Sequence, residues 1–290
     1  MPSLTTINEY KKQLEKLGTY NIDYKIITDI EPLITKIKNI TKKDGNIISI
    51  STQKLYFLSI HWYIKNNTQN KEYLLSLLNE VEKINKIQTA QIDEHTLINN
   101  QKQNYMEWDD VLSVYNKLKL TYLTSFNSHK TFVLLSCYVL LCPRRLKDYA
   151  LMYVKDNDND LNVTLNYYIR NKSVFIFNNY KTSNTYKSQQ IDVVPELALL
   201  LNEFIDKYDI SGSLFIDDIS VNEKAKCKAI NGRLTRVFMK HSGKNISVNI
   251  LRHSYISHMK NTGKILGKEN RIAREMSHSS STQNDYYKSV

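Results

Sequence analysis

The sequence predicts a mostly α-helical protein with a small antiparallel β-sheet, an α+β fold divided into two domains. Three observations lead to this prediction. Apolar residues recur with helical spacing over about the first ninety residues. Two β-rich runs, 163–169 and 173–177, are joined by a three-residue turn and are typical of a hairpin. Helical spacing returns after Pro195, so the sheet is expected to be small.

Length and composition exclude several classes of protein. A chain of 290 residues with 41% apolar and 24% charged residues is typical of globular domains and not of disordered segments. The longest apolar run, 132–142, is too short to span a bilayer, and the N-terminus has no secretory signal. The three cysteines lack metal-ligand spacing, which favours free thiols in a reducing compartment. We therefore expect an intracellular protein with no membrane segment, metal or cofactor.

The first domain is predicted over 1–104, with a polar linker at about 89–104, and the second over 105–290. Helices of the first domain are predicted at 6–18, from Pro32, at 51–66 and at 71–88. Thr6 and Glu9 have the spacing of a capping box at the start of the first helix. Lysines on the polar helix faces and a net charge of +11 favour a polyanionic partner.

The second domain is predicted to place its strands between helices. Asp109 is suited to cap a helix through about Leu120, and an apolar run over 131–141 predicts a buried helix that ends at Pro143. After the hairpin come a third strand at 190–194, a helix from Pro195 and a helix over about 222–240. Helices are expected from there to the end of the chain.

Residues suited to phosphate chemistry cluster in the segment 249–290. They are Asn249, Arg252, His278, Tyr286 and Tyr287. A tyrosine hydroxyl attacks a phosphodiester when cations stabilise its phenolate, because its ordinary pKa is about 10. Arginine suits the phosphate, since its planar guanidinium donates two parallel hydrogen bonds. A lysine can protonate the leaving oxygen, and a histidine can transfer protons. The cluster therefore predicts cleavage of a DNA strand through a covalent intermediate.

The ordered set resembles the tyrosine recombinases, the phage-integrase family. The resemblance covers about 105–290 and rests on Leu-Arg-His-Ser at 251–254, Ser-His-Ser-Ser at 277–280 and a tyrosine nine residues after the histidine. It implies that the catalytic residues are Arg145, Lys181, Asn249, Arg252, His278 and Tyr287, with Asp148 as a supporting acid. It also implies a helical core-type DNA-binding domain followed by a recombinase catalytic domain, together forming a clamp on the duplex.

Neighbouring residues compete for two of these assignments. Arg145 is preferred over Arg144, because the run Arg-Leu-Lys-Asp that begins at Arg145 fits the family register. Lys181 lies between the second and third predicted strands, where the family has its lysine. Lys172 and Lys187 are alternatives to it.

The nucleophile also has two candidates, and two features depart from the family pattern. Spacing favours Tyr287, whereas the Thr-Gln-x-x-Tyr pattern that ends at Tyr286 resembles some family members more closely. Asn249 stands where the family usually has a histidine, and an amide is not a base at neutral pH. His253 follows the arginine, where the family commonly has a histidine that we interpret as structural. Few residues follow Tyr287, so the further C-terminal helix of many relatives is absent or the chain is truncated.

The resemblance implies a site-specific recombinase or integrase. Such an enzyme cuts and rejoins double-stranded DNA through a 3′-phosphotyrosyl link, as a homotetramer on paired sites. Two alternatives stay open: DNA relaxation by a type IB topoisomerase-like enzyme, and a catalytically inactive DNA-binding protein, which Asn249 favours. A composition rich in Asn, Lys, Ile and Tyr favours an AT-rich genome, such as that of a mobile element or large DNA virus. The protein is then expected in the cytoplasm or nucleus of the host cell.

Overall fold

The computed structural model describes residues 2–93 and 99–288 and divides the chain into two compact units, Met1–Glu94 and His95–Val290. The described residues are mostly helical and include one four-stranded sheet, so the predicted fold class is confirmed. Each unit has its own hydrophobic core. Among the described helices, none combines the length and the apolar character needed to cross a membrane.

The first unit consists of helices packed around an aliphatic and aromatic core. Its helices are α1 (Leu4–Gly18), α2 (Ile30–Lys38), α3 (Ile50–Asn67) and α4 (Lys71–Asp93). The first three begin slightly earlier than predicted, because Ser3, Asp29 and Ser49 provide their N-caps. The predicted capping box at Thr6 was therefore wrong: the side chain of Ser3 accepts from the Thr6 amide.

The segment predicted as a linker, about 89–104, is helical at both of its ends. Helix α4 continues to Asp93, and α5 (Asn99–Asn104) follows residues 94–98, which lie outside the described part. The linker prediction rested on polar composition, but glutamine and lysine have good helix propensity. The division between the two units falls within this segment.

The second unit contains the sheet and the remaining helices. Its helices are α5, α6 (Trp108–Lys119), α7 (Phe126–Val139), α8 (Leu146–Ala150), α9 (Ser183–Tyr186), α10 (Pro195–Tyr208), α11 (Glu223–Ser242), α12 (Val248–Asn261), α13 (Glu269–Glu275) and α14 (Ser280–Tyr286). Its strands are β1 (Met152–Lys155), β2 (Asn166–Ile169), β3 (Val174–Phe177) and β4 (Gln189–Asp192). Short 3-10 turns occupy Tyr122–Thr124 and Arg170–Lys172.

The sheet has the order β1-β2-β3-β4 and is mixed. The predicted hairpin is confirmed as the antiparallel pair β2 and β3, and the predicted third strand is β4. Strand β1 was not predicted, and it pairs parallel with β2. Its four residues follow α8 almost directly, and so short a run shows no clear alternation of apolar and polar residues.

The core of the second unit surrounds α7, which is buried over most of its length as predicted. A smaller cluster beside it contains Cys142, Ile256, Ile272 and Met276. This cluster packs the chain after α7 against α12 and α13. Three separate stretches of sequence thereby meet: the residues that precede α8, helix α12, and the turn between α13 and α14.

Candidate active site

Arg252 lies at the centre of this meeting point with its guanidinium almost fully buried. Ser247 caps α12, and Arg252 follows on the second turn with 1% of its surface exposed. Its Nη1 donates to the carbonyl oxygens of Pro143, at 2.9 Å, and Met276, at 3.1 Å. Its Nε and Nη2 are buried and make no well-formed hydrogen bond among the described residues, while the side chain of Tyr286 approaches the guanidinium and opposes the lowering of its pKa by burial. Burying unpaired donors of a cation costs free energy, so an anion that reached these two nitrogens would be stabilised there.

In the turn between α13 and α14, Ser277 adopts a left-handed backbone conformation, which costs free energy for a residue other than glycine. Ser277 has φ 60°, its amide donates to Arg274 O, and the amide of His278 donates to Ala273 O. This pair of bonds is a Schellman motif, in which the left-handed residue is usually glycine. The motif places His278 directly before Ser279, which caps α14. The turn therefore fixes His278 between two helix ends.

Three consecutive carbonyl groups at the end of α13 each accept a hydrogen bond from a different arginine. The pairs are Arg144 with Glu275, Arg252 with Met276, and Arg145 with Ser277. Carbonyl groups at the C-terminal end of a helix carry partial negative charge and attract cations. The sequence motifs identified two of these arginines but gave no sign that the three share one helix end.

Arg145 is half-buried and reaches the same turn. It is the N-cap residue of α8, and its Nη1 donates to Ser277 O at 2.6 Å. The hydroxyl of Thr182, in the loop that follows β3, donates to the same oxygen at 3.0 Å. The loop after β3 and the start of α8 thus converge on Ser277.

His278 is buried and neutral at ordinary pH. Its Nδ1 lies 3.0 Å from Ser279 O, and since a carbonyl only accepts, Nδ1 carries the proton. Burial lowers the pKa of His278 to about 4, and the charges of Arg252 and Arg145 add to the effect. Its Nε2 is buried and has no hydrogen-bond partner among the described residues. That nitrogen is available to accept a proton.

Of the two adjacent tyrosines, Tyr286 lies in this cluster. Its ring stacks on His278 at a centroid distance of 5.3 Å, and the guanidinium carbon of Arg252 lies 4.6 Å from the ring centre. The hydroxyl of Tyr287 instead donates to Asn261 Oδ1 at 3.2 Å, and its ring lies under the ammonium group of Lys260. The two side chains point in different directions because Tyr286 is the last residue of α14, whereas Tyr287 has an extended backbone.

Asn249 is exposed on the first turn of α12, and its contact is with a neighbouring histidine. Its Nδ2 lies 3.3 Å from Nε2 of His253, one turn further along the helix. The Nδ1 of His253 lies 2.9 Å from the carbonyl oxygen of Tyr286. Burial lowers the pKa of His253 to about 4. Asn249 is therefore connected to Tyr286 indirectly, by way of His253.

The three candidate lysines occupy different positions around the sheet. Lys181 is exposed and directly precedes Thr182, which contacts the turn at Ser277. Lys187 is exposed beyond α9. Lys172 pairs with Asp158 at 2.6 Å, at the hairpin end of β3. Because β3 runs from the hairpin to the loop of Lys181, Lys172 lies at the opposite end of the strand.

Arg144 is a buried residue of the site that the sequence analysis set aside. Its Nε donates to Asp148 Oδ2 at 2.7 Å, its Nη2 donates to Gln189 Oε1 at 3.1 Å, and its guanidinium stacks on Phe177 at 3.8 Å. Asp148, expected to support the site, thus contacts Arg144. Arg144 lies before the N-cap of α8, so the pair is not a helical i,i+4 pair and no sequence pattern indicates it.

The site has a positive electrostatic character. Three arginines converge on the α13–α14 turn, and Asp148 is the acid that pairs with one of them. Such a site suits an anion with several oxygens. Within residues 2–93 and 99–288, no group of three or more His, Cys, Asp or Glu side chains is arranged to hold a metal ion.

Comparisons with known proteins give distant structural similarity and no match in sequence. No family model matches the chain, and no curated protein matches it. Among solved structures, the crystal structure of XerA recombinase is similar at 15% sequence identity and a TM-score of 0.45. The match covers 100% of this chain and 89% of that one.

Proposed function

We propose that this chain cuts and rejoins DNA strands through a covalent phosphotyrosyl intermediate, as a recombinase or integrase of the tyrosine type. The observation that carries the proposal is the buried guanidinium of Arg252, which lies beside the ring of Tyr286 and has two nitrogens without a well-formed hydrogen bond among the described residues. A phosphodiester supplies the two acceptor oxygens that these nitrogens lack. The net charge of +11 favours a polyanion, because lysine and arginine release counterions when they bind phosphates.

The proposed reaction begins with attack by the tyrosine hydroxyl on phosphorus. A bond forms between the tyrosine oxygen and phosphorus, and the bond from phosphorus to the 5′ oxygen breaks. Arg252 and Arg145 stabilise the extra charge on the non-bridging oxygens. Nε2 of His278 takes the phenolic proton, and the ammonium group of Lys181 gives a proton to the leaving 5′ oxygen. The reverse reaction, with the 5′ hydroxyl of a second duplex, exchanges strands.

We propose Tyr286 as the nucleophile. The support is its position against His278 and Arg252, whereas the hydroxyl of Tyr287 contacts Asn261. A cation beside the ring stabilises the phenolate that attack requires. Spacing along the sequence favoured Tyr287, but spacing does not include the change of direction at the end of α14.

A pool of nicked DNA duplexes with randomised sequence around the nick tests this proposal. The nick lets the short 5′-hydroxyl fragment diffuse away, so a covalent adduct accumulates and survives SDS. We expect an adduct with the wild-type chain and with Tyr287→Phe, and none with Tyr286→Phe. An adduct lost in Tyr287→Phe and kept in Tyr286→Phe would overturn the assignment of the nucleophile.

The same experiment distinguishes the other two functions. Sequencing the trapped DNA identifies the preferred site, and paired copies of that site then test strand exchange and assembly as a tetramer. An adduct with relaxation of supercoils and no strand exchange would indicate a topoisomerase. DNA binding without an adduct from any sequence in the pool would indicate a catalytically inactive binding protein.

A further inference from the structure

A chain of two hydrogen bonds connects the first turn of α12 to the backbone of Tyr286. Nδ2 of Asn249 lies 3.3 Å from Nε2 of His253, and Nδ1 of His253 lies 2.9 Å from the carbonyl oxygen of Tyr286. Asn249 is exposed and His253 is buried. The chain therefore leads from the surface to the last residue of α14, which carries the proposed nucleophile.

Only one arrangement of protons satisfies both contacts. The carbonyl oxygen of Tyr286 only accepts, so Nδ1 of His253 carries a proton. Burial keeps this histidine neutral, and Nε2 is then an acceptor. The group of Asn249 that faces Nε2 is therefore its amide N–H. With the amide reversed, an oxygen acceptor would face a nitrogen acceptor.

The contacts also fix the position of the Tyr286 ring. The ring of His253 lies 4.9 Å from that of Tyr286 by centroid distance, on α12 one residue after Arg252. The helix that carries the anion-binding arginine thus also holds the backbone of the tyrosine. A shift of the His253 ring would move the phenol relative to a phosphate bound at Arg252.

We propose that Asn249 is a positioning residue that acts through His253 on Tyr286, rather than a ligand of the phosphate. This inference rests on the proposed function, since it assigns Asn249 a part in the same reaction. It explains how an amide replaces the histidine expected at this position: a hydrogen-bond donor toward His253 is required there, and a base is not.

The charges that face His253 determine how this link responds to pH. Arg252 is on the same helix, and Lys288 approaches from the segment after α14; both charges lower the pKa of His253. Acidification protonates Nε2, and the exposed amide of Asn249 must then turn to present Oδ1 to Nε2–H. The contact is therefore expected to reverse its direction as pH falls through about 4.

A histidine titration of the full-length protein without DNA tests the contact. With ¹⁵N-labelled histidine, we expect Nε2 of His253 to be unprotonated at neutral pH. In Asn249→Asp the carboxylate accepts from Nε2–H, so the pKa of His253 should rise by about 1–3 units. Asn245→Asp, an exposed change in the loop before α12, should leave that pKa near its wild-type value. An Asn249→Asp titration identical to wild type would overturn the proposal.

A double-mutant cycle on the rate of adduct formation tests the route of the effect. Asn249→Ala should slow adduct formation by about 10- to 100-fold, because the phenol is misplaced. His253→Asn keeps a donor toward the Tyr286 carbonyl but loses contact with Asn249. In that background, Asn249→Ala should have no further effect.

The proposal would be overturned if the effects of the two substitutions on the rate of adduct formation multiply and Asn249→Ala also binds DNA more weakly. Asn249 would then contact the phosphate directly. Circular dichroism of each variant controls for folding, and the titration does not depend on the His253 variant. A wild-type chain that forms no adduct would refute the proposed function and, with it, any role of Asn249 in cleavage. The titration would still show whether the contact exists.

Discussion

Two buried arginines meet the same helix end and differ in how fully their guanidinium groups are satisfied. Arg144 has an acceptor at each of its three guanidinium nitrogens, including the carboxylate of Asp148, and stacks on Phe177. Arg252 donates from Nη1 alone, to two carbonyls, while its other nitrogens are buried without a well-formed hydrogen bond among the described residues. Both side chains are almost entirely inaccessible to solvent.

The difference separates structural support from binding. A buried cation with a carboxylate and well-directed acceptors contributes to holding its neighbours, and removing it leaves the acid unpaired. A buried cation with unused donors raises the free energy of the folded protein until an anion arrives. By this reasoning Arg144 contributes to holding α13 to β4, and Arg252 is suited to bind an anion.

The largest expected effect is the loss of cleavage in Arg252→Met. Removing the donors that are proposed to stabilise the pentacoordinate phosphorus should slow adduct formation by about 10³-fold or more. Stability in urea should fall by less than in Arg144→Met, because the variant loses two hydrogen bonds to the carbonyl groups of Pro143 and Met276 but leaves no charge unpaired. Adduct formation on the nicked pool and urea unfolding measure the two quantities.

Inorganic phosphate provides a test of Arg252 that needs no DNA. It should raise the melting temperature of the wild-type chain, since a ligand that binds the folded state stabilises it. The increase should disappear in Arg252→Met and persist in Arg236→Met, a change on α11. A loss of stability in Arg252→Met as large as that in Arg144→Met would erase the distinction between the two arginines.

The next largest effect is on stability, in Arg144→Met. Asp148 is fully buried, so the variant leaves its charge without a partner. Breaking a buried ion pair in this way typically costs about 3–5 kcal/mol. Urea unfolding should show this loss, and Arg144→Met combined with Asp148→Leu should recover much of it. Unchanged stability in the single variant would refute the structural role.

Sequence patterns predicted the parts of this fold that depend on local spacing. The buried helix α7, the hairpin of β2 and β3, and the helix from Pro195 have strong periodic or turn signals. Strand β1 was missed because it follows α8 almost directly, with no turn signal to mark its start, and its partner lies across a connecting loop. The helical ends of the polar segment at 89–104 were not predicted, because composition is a weak guide to helix ends.

The residues of the candidate site also divide into those that local sequence motifs indicate and those whose contacts depend on the fold. Arg252 and His278 each lie in a short sequence motif, and the structure brings both beside Tyr286. The partners of Arg144 could not be read from the sequence, since they come from α8, α13 and β4. Whether Tyr286 or Tyr287 enters the site depends on where α14 ends, and spacing alone does not fix a helix end.

The smallest expected effect concerns the turn that presents its carbonyls to both arginines. Ser277 has φ 60°, and its buried hydroxyl has no partner among the described residues. Glycine adopts this conformation without steric cost, so Ser277→Gly should raise stability by about 1 kcal/mol. Ser277→Ala is the matched control, because it removes the hydroxyl but keeps a Cβ. Urea unfolding should rank Gly above Ala, and equal stability would mean that backbone strain at Ser277 does not limit how firmly this turn holds the arginines.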